Sequence, residues 1–121
     1  MFLTPLRVES VRGTDERILL ASLIWRSAAG AHYIVPKGFK TNYASIPQIL
    51  RSVIDNDDPV LKDAAVLHDY LYSLPEFIRK EADNILREAM RDLGAPWWKR
   101  QVVYCSVRIG GASHKTLPTS I

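Results

Sequence analysis

The first third of the chain carries the hydrophobic pattern of β-strands. Apolar and polar residues alternate over residues 6–11, which is the period of a strand with one buried face, and β-forming residues fill 18–26 and 32–35. Glycine-containing turn sequences separate the three segments. The sequence therefore predicts a small antiparallel meander of three strands, with an apolar face that a second layer must cover.

The rest of the chain has apolar residues at the three- and four-residue spacing of amphipathic helices. A proline lies at or near each predicted start, and Gly94 and the pair Gly110-Gly111 mark the last two ends. Strands followed by helices predict an α+β fold, in which the meander packs against a bundle of three to four helices. The predicted domain is residues 1–111, with an extended tail at 112–121. The predicted helices cover residues 46–54, 59–73, 75–93 and 96–109.

Composition fits one ordinary globular domain, because the chain has 121 residues, of which 47% are hydrophobic and 24% charged. Neither a signal peptide nor a membrane-spanning segment is expected from the sequence. The net charge of +3 comes from scattered basic residues. A nucleic-acid binder usually has a dense basic stripe, so binding to nucleic acid is not expected.

The last predicted helix contains the single cysteine. Cys105 has no partner for an internal disulfide, and its valine neighbours predict a buried, unreactive thiol. The interior side of this helix is predicted to consist of Trp97, Val102, Val103, Ser106 and Val107.

A candidate site lies on the two middle helices. His68 and Asp69 are adjacent on an otherwise apolar helix, and Asp83 lies on the next helix along the chain. Helices joined by a short turn are usually neighbours, so Asp83 can face His68. A carboxylate bonded to one imidazole nitrogen leaves the other nitrogen to take a proton from water or to bind a metal.

Metal assistance is a further possibility. In this arrangement Asp69 can bind Ca²⁺, which prefers oxygen ligands. Zn²⁺ is less favoured, because its usual sites need more histidine or cysteine, and the other histidines are His32 and His114. Tyr70 and Tyr72 are predicted to frame the histidine pocket, and one of them can donate a hydrogen bond into it.

A structural interpretation of the same residues stays open. His68 can be a core histidine with an ordinary hydrogen bond, and Asp83 can pair with Arg79 one turn earlier on a helix surface. Ser45 could be a nucleophile, but its position before an Ile-Pro pair is typical of a helix N-cap.

Three motifs resemble a family of small phage and prophage proteins of unknown function. They are Thr-Asn-Tyr-Ala-Ser-Ile-Pro at residues 41–47, Ala-Ala-Val-Leu-His-Asp-Tyr-Leu-Tyr at 64–72, and Arg79 with Ala-Asp at 82–83. The family usually shows a Thr-Asp-Gly-Ala-Ser-Ile-Pro loop, a His-Asp-x-Leu-Tyr helix and an Arg-x-x-Ala-Asp helix. The resemblance covers residues 36–110 and implies a phage or prophage origin without supplying an activity. Asn42 replaces the family's loop aspartate, so this chain has lost a negative charge there.

A shorter segment resembles the active-site helices of phospholipase A2, which carry His-Asp-x-x-Tyr followed by Ala-Asp. Carried over by position, this resemblance implies that His68 activates water, that Asp69 ligates calcium and that Asp83 orients the imidazole. The glycine-rich calcium loop of those enzymes is missing from this sequence.

Two functional hypotheses follow. The first is a phage or prophage hydrolase that acts on a lipid ester or peptidoglycan bond of the bacterial envelope during infection or lysis. The second is a non-enzymatic virion or tail component, whose partners are other virion proteins and whose His-Asp-Asp cluster is a packing network; the change at Asn42 favours it. The expected location is the virion or the host cytoplasm.

Overall fold

A computed structural model describes the backbone of residues 1–42 and 59–116, and the side chains of residues 1–42 and 61–109. Short strands come first and helices follow, so the predicted α+β class is confirmed. The predicted helix at residues 46–54 and the candidate residue Ser45 lie outside the described residues. The elements are β1 (Val8–Ser10), β2 (Arg17–Leu19), β3 (Leu23–Arg26), β4 (His32–Val35), β5 (Lys40–Thr41), α1 (Pro59–Ser73), α2 (Arg79–Asp92) and α3 (Trp97–Thr116).

The strands form two antiparallel sheets rather than a single meander. One sheet has the order β1-β2-β5, and the other is the β3-β4 hairpin, in which Trp25 is opposite Tyr33. The predicted strand at 18–26 is split between Leu19 and Leu23, because its two parts pair with strands of different sheets. The Thr4 hydroxyl donates to the carbonyl of Ser22 at 3.1 Å and accepts from the amide of Ile24 at 2.9 Å.

The helices are layered in chain order, with α2 packed between α1 and α3. Alanines on α1 and α2 allow close approach of the helices, and Ala64, Ala82 and Ala89 are fully buried. Trp25 and Val35 of the β3-β4 hairpin join the same core. Each fully buried leucine or valine side chain contributes about 1.5–3 kcal/mol to folding, so this shared core fixes how the helices sit against the hairpin.

A row of aromatic rings joins the hairpin to the connection between α1 and α2. The ring centroids of Trp25 and Tyr33 are 5.6 Å apart, and those of Tyr33 and Phe77 are 6.0 Å apart. Phe77 lies in the turn that separates the two helices. The turn that sets the spacing of α1 and α2 is therefore anchored on the sheet.

The helix ends differ in part from the prediction. Gly94 ends α2 as predicted, with a φ of 88° that favours glycine. However, α2 begins at Arg79 rather than at Pro75, since residues 74–77 form turns bonded three residues back. Helix α3 runs through Gly110 and Gly111 to Thr116, so residues 112–116 are helical and not extended. Glycine weakens a helix by about 1 kcal/mol but keeps the backbone donor that proline lacks.

The buried side of α3 is narrower than predicted. Val103 and Val107 are buried, whereas Trp97 and Val102 are 67% and 50% exposed, so their predicted interior placement was wrong. Cys105 is also exposed, so the prediction of a buried thiol was wrong. Helix α3 contacts α2 along one side only, and valine or cysteine on its other side meets solvent. No helix within residues 59–116 is both long enough and apolar enough to cross a membrane.

Candidate functional site

The predicted contact between His68 and Asp83 is present. His68 lies on the buried side of α1 and Asp83 on the buried side of α2, and Nε2 of the histidine is 2.6 Å from Oδ1 of the aspartate. Both side chains are 0% exposed. A hydrogen bond this short between fully buried groups fixes the orientation of the imidazole ring.

Two more donors surround the Asp83 carboxylate. The Tyr72 hydroxyl donates to Oδ1 at 3.1 Å, and the Arg108 guanidinium donates from Nη1 to Oδ2 at 3.1 Å. Because both carboxylate oxygens accept from these donors, we assign the proton of the His68–Asp83 hydrogen bond to Nε2. In the neutral imidazole this tautomer places the basic lone pair on Nδ1.

Tyr72 lies one helical turn after His68 and packs against it, with ring centroids 4.4 Å apart. Burial, the charge of Asp83 and the hydrogen bond to Asp83 raise the pKa of Tyr72 well above its ordinary value, and Arg79 opposes them. The hydroxyl consequently keeps its proton and remains a donor to the carboxylate.

Arg108 is the part of this network that the sequence analysis missed. It reaches Asp83 from α3, and its backbone carbonyl accepts a hydrogen bond from Nη1 of Arg79 at 2.6 Å. Arg79 therefore joins α2 to α3 and does not form the predicted helix-surface pair with Asp83. The only sequence signal was an arginine next to the buried Val107, and spacing within α3 does not reveal which helix it faces.

Asp69 lies at the edge of the site and contacts β5. Its Oδ2 accepts a hydrogen bond from the buried hydroxyl of Thr41 at 2.6 Å. Asn42 follows Thr41 directly and is half-buried. The predicted place of Tyr70 beside His68 was wrong. Its ring packs edge-on against Phe39, with the ring centroids 5.2 Å apart.

Among the described side chains, Asp69 does not belong to a cluster of metal-ligating residues. Calcium takes six to eight oxygen ligands and zinc usually four ligands. Over the side chains of residues 1–42 and 61–109, no group of three or more His, Cys, Asp or Glu residues could hold a metal ion. His32 is exposed on β4, and the side chain of His114 lies outside the described residues.

Comparison with known proteins identifies a family but not an activity. The model of a family described as "Protein of unknown function (DUF1353)" matches residues 18–107, which include His68, Asp69 and Asp83 and end one residue before Arg108. No curated protein and no solved structure matches the chain. The matched region runs from β2 into α3 and covers most of the sequence. The chain therefore belongs to the DUF1353 family of proteins of unknown function.

Proposed function

We propose that this protein is a hydrolase in which His68 acts as a general base toward water and Asp83 is its positioning residue. The observation that supports this proposal is the 2.6 Å contact between Nε2 and the Asp83 carboxylate, whose two oxygens are also bonded to Tyr72 and Arg108. Enzymes that activate water typically orient a basic side chain with a carboxylate, and that carboxylate is fixed by further hydrogen bonds.

His68 is fully buried in this structure, so the proposed reaction requires the site to open to water and substrate. Nδ1 of His68 then takes a proton from water as the water oxygen attacks the carbonyl carbon of an ester or amide. The bond from that carbon to the leaving group then breaks, and the imidazolium returns its proton to the leaving group. The Asp83 carboxylate offsets the positive charge that the ring carries between these steps. General base catalysis of this kind contributes a factor of about 10²–10⁴ in rate.

The proposed substrate is a component of the bacterial envelope, either a lipid ester or a peptidoglycan bond. The resemblance of residues 41–47, 64–72 and 79–83 to phage and prophage proteins supports this choice. The local resemblance of His68, Asp69 and Asp83 to phospholipase A2 helices supports ester chemistry in particular. Assistance by calcium at Asp69 stays a prediction, and a rise in melting temperature on adding Ca²⁺ would test it.

The test uses two substrates, a fluorogenic phospholipid in phosphatidylglycerol vesicles and dye-labelled peptidoglycan. The wild-type protein should release product from one of them, and His68→Asn should lower kcat about 100-fold or more. Asp83→Asn should lower kcat less and change the pH profile, with KM unchanged. Asp92→Asn, at the other end of α2, is the matched control and should keep the wild-type rate.

Circular dichroism of each variant shows whether the fold is intact. Turnover that survives in a folded His68→Asn protein would disprove the proposed base. A wild-type protein that acts on neither substrate would count against the envelope hydrolase.

The complete burial of His68 and Asp83 favours a second candidate, a non-enzymatic virion or tail component in which the cluster fixes helix packing. On this proposal the chain should be present in purified phage particles, and His68→Asn should lower stability with no activity to lose. Absence from the particles would contradict it.

A further inference from the structure

A cleft of about 400 Å³ lies between α2 and α3, outside the His68–Asp83 site. Its lining includes Arg87, Glu88 and Arg91 from α2, and Trp97 and Arg100 from α3. The volume lies within the range of about 300–1,000 Å³ that is common for small-molecule sites. The proposed hydrolase chemistry uses none of these residues.

The cleft has an excess of positive charge. Among the side chains that the structure describes, none of the guanidinium groups of Arg87, Arg91 and Arg100 forms an ion pair with a carboxylate. The carboxylate in the lining, Glu88, instead accepts a hydrogen bond from the backbone amide of Ala28 at 2.8 Å. Three guanidinium groups against one carboxylate leave the cleft with a net positive charge, which a bound anion would offset.

One of these charges is already held in place. The guanidinium carbon of Arg87 lies 4.0 Å from the centroid of the Tyr104 ring, which packs beneath it. This cation–π contact restrains the side chain without using its N–H donors for a carboxylate. Arginine groups present paired donors that match the oxygens of a phosphate, and three of them suit a phosphate monoester, which carries between one and two negative charges at pH 7 (about −1.5 to −2).

Trp97 adds an apolar surface to the same cleft. Its side chain is 67% exposed, whereas Trp25 in the core is 0% exposed. A planar ring stacked on the indole would cover part of this surface, and such stacking contributes about 1–3 kcal/mol where it has been measured for nucleic-acid bases. The arginine groups and the exposed indole of the cleft therefore favour a ligand that has both an anionic group and a planar ring.

We propose that the α2–α3 cleft binds a small ligand in which a phosphate group is joined to a planar ring. The phosphate contacts the guanidinium groups of Arg87, Arg91 and Arg100, and the ring stacks on Trp97. A nucleoside monophosphate is the simplest probe of this ligand class. The proposal does not depend on the proposed hydrolase activity, since binding is measured directly.

The first experiment is calorimetric titration of the full chain with adenosine monophosphate, adenosine and inorganic phosphate. We expect saturable one-to-one binding of the monophosphate, with adenosine and phosphate each at least tenfold weaker. Arg100→Gln and Arg91→Gln should each weaken binding roughly tenfold, because each removes hydrogen bonds to a charged group. Arg12→Gln, in the exposed turn after β1, is the matched control and should bind as the wild type does.

The second experiment uses tryptophan fluorescence, because Trp97 and Trp98 are adjacent and similarly exposed, but the cleft is lined by Trp97. The monophosphate should quench wild-type fluorescence, and Trp97→Leu should abolish the quenching while Trp98→Leu keeps it. No saturable binding at millimolar monophosphate would overturn the proposal, as would equal losses in Trp97→Leu and Trp98→Leu. A single-stranded oligonucleotide that binds far more tightly than the monophosphate would assign the cleft to nucleic acid and overturn it too.

Discussion

Helix α2 carries two aspartates that bind other elements, Asp83 in its second turn and Asp92 at its last residue. Asp83 is fully buried and accepts from His68, Tyr72 and Arg108. The Asp92 side chain is 32% exposed, and its Oδ2 accepts from the indole of Trp25 at 2.9 Å and from the amino group of Met1.

The two aspartates differ chiefly in the chemistry of their partners. The indole nitrogen of Trp25 is a donor only, so its bond to Asp92 can hold α2 against β3 and nothing more. The imidazole of His68 has a second nitrogen with a lone pair, so the bond to Asp83 orients a group that can accept a proton. A carboxylate with several donors is therefore not by itself a sign of catalysis. The Met1 amino group beside Asp92 also titrates, but Met1 is largely exposed, whereas the imidazole beside Asp83 is fully buried and held in one orientation.

The largest expected effect is the loss of stability when each of the two carboxylates is removed. Asp83→Ala should lower the free energy of unfolding by about 3–5 kcal/mol, because it leaves the Arg108 charge and the buried His68 and Tyr72 donors without their acceptor. Asp92→Ala should lower it by about 1–2 kcal/mol, since solvent reaches that site. Urea unfolding at pH 7 measures both, and equal losses would remove the distinction between the two sites.

A smaller effect concerns Tyr72, whose raised pKa links the Asp83 site to pH. Tyr72→Phe should lower the free energy of unfolding by about 1–2 kcal/mol at pH 7, because one hydrogen bond to a buried charge is lost. The folded protein holds the phenolic proton more tightly than the unfolded chain, whose tyrosines titrate near pH 10. This stabilisation is complete below about pH 10 and falls as the pH rises further.

The stability advantage of the wild type over Tyr72→Phe should therefore shrink above pH 10, until the variant is no longer the less stable protein. Urea midpoints at pH 7, 9 and 10.5 measure this change. Tyr33→Phe is a suitable control, because Tyr33 lies in the aromatic row away from Asp83. A difference between wild type and Tyr72→Phe that stays constant with pH would show that the carboxylate does not hold the phenolic proton.

The smallest expected effect comes from Asp63 on α1. Burial raises the pKa of Asp63, and a backbone hydrogen bond opposes the shift only in part. Below about pH 3.9 the Asp63 carboxyl is protonated in both the folded and the unfolded protein. As the pH rises from there through the raised pKa, the unfolded chain ionises more readily than the folded protein, so folding stability falls. At pH 7 the ionised Asp63 carboxylate therefore costs stability. Asp63→Asn should slightly raise the urea midpoint at pH 7, and the gain should vanish near pH 3. A lower midpoint at pH 7 would show that the Asp63 charge is stabilising.

Local spacing predicted the main contact of the site correctly. A proline-marked turn between two amphipathic helices was enough to bring His68 opposite Asp83, because a short connection leaves the helices few arrangements. The contribution of Arg108 was not predictable in the same way. It depends on how α3 rotates against α2, and that rotation is set by which side chains fill the core.

Local sequence patterns also failed to predict the break in the segment at 18–26 and the exposed side of α3. The segment at 18–26 has β-forming residues throughout, but its two parts pair with strands of different sheets and are separated at residues 20–22. Trp97 and Val102 are apolar, and hydropathy assigned them to the core, although both are at least half exposed and none of the described helices covers them. In both cases the outcome depended on how distant segments pack together, which a local hydrophobic pattern does not show.

The aromatic row from Trp25 through Tyr33 to Phe77 has a consequence for the native-state motions of the protein. Since Phe77 lies between α1 and α2, fraying of the hairpin would loosen the turn that keeps those helices in register. The amide protons of β3, β4 and the facing sides of α1 and α2 should then exchange with solvent deuterium at a common rate, as one cooperative opening unit.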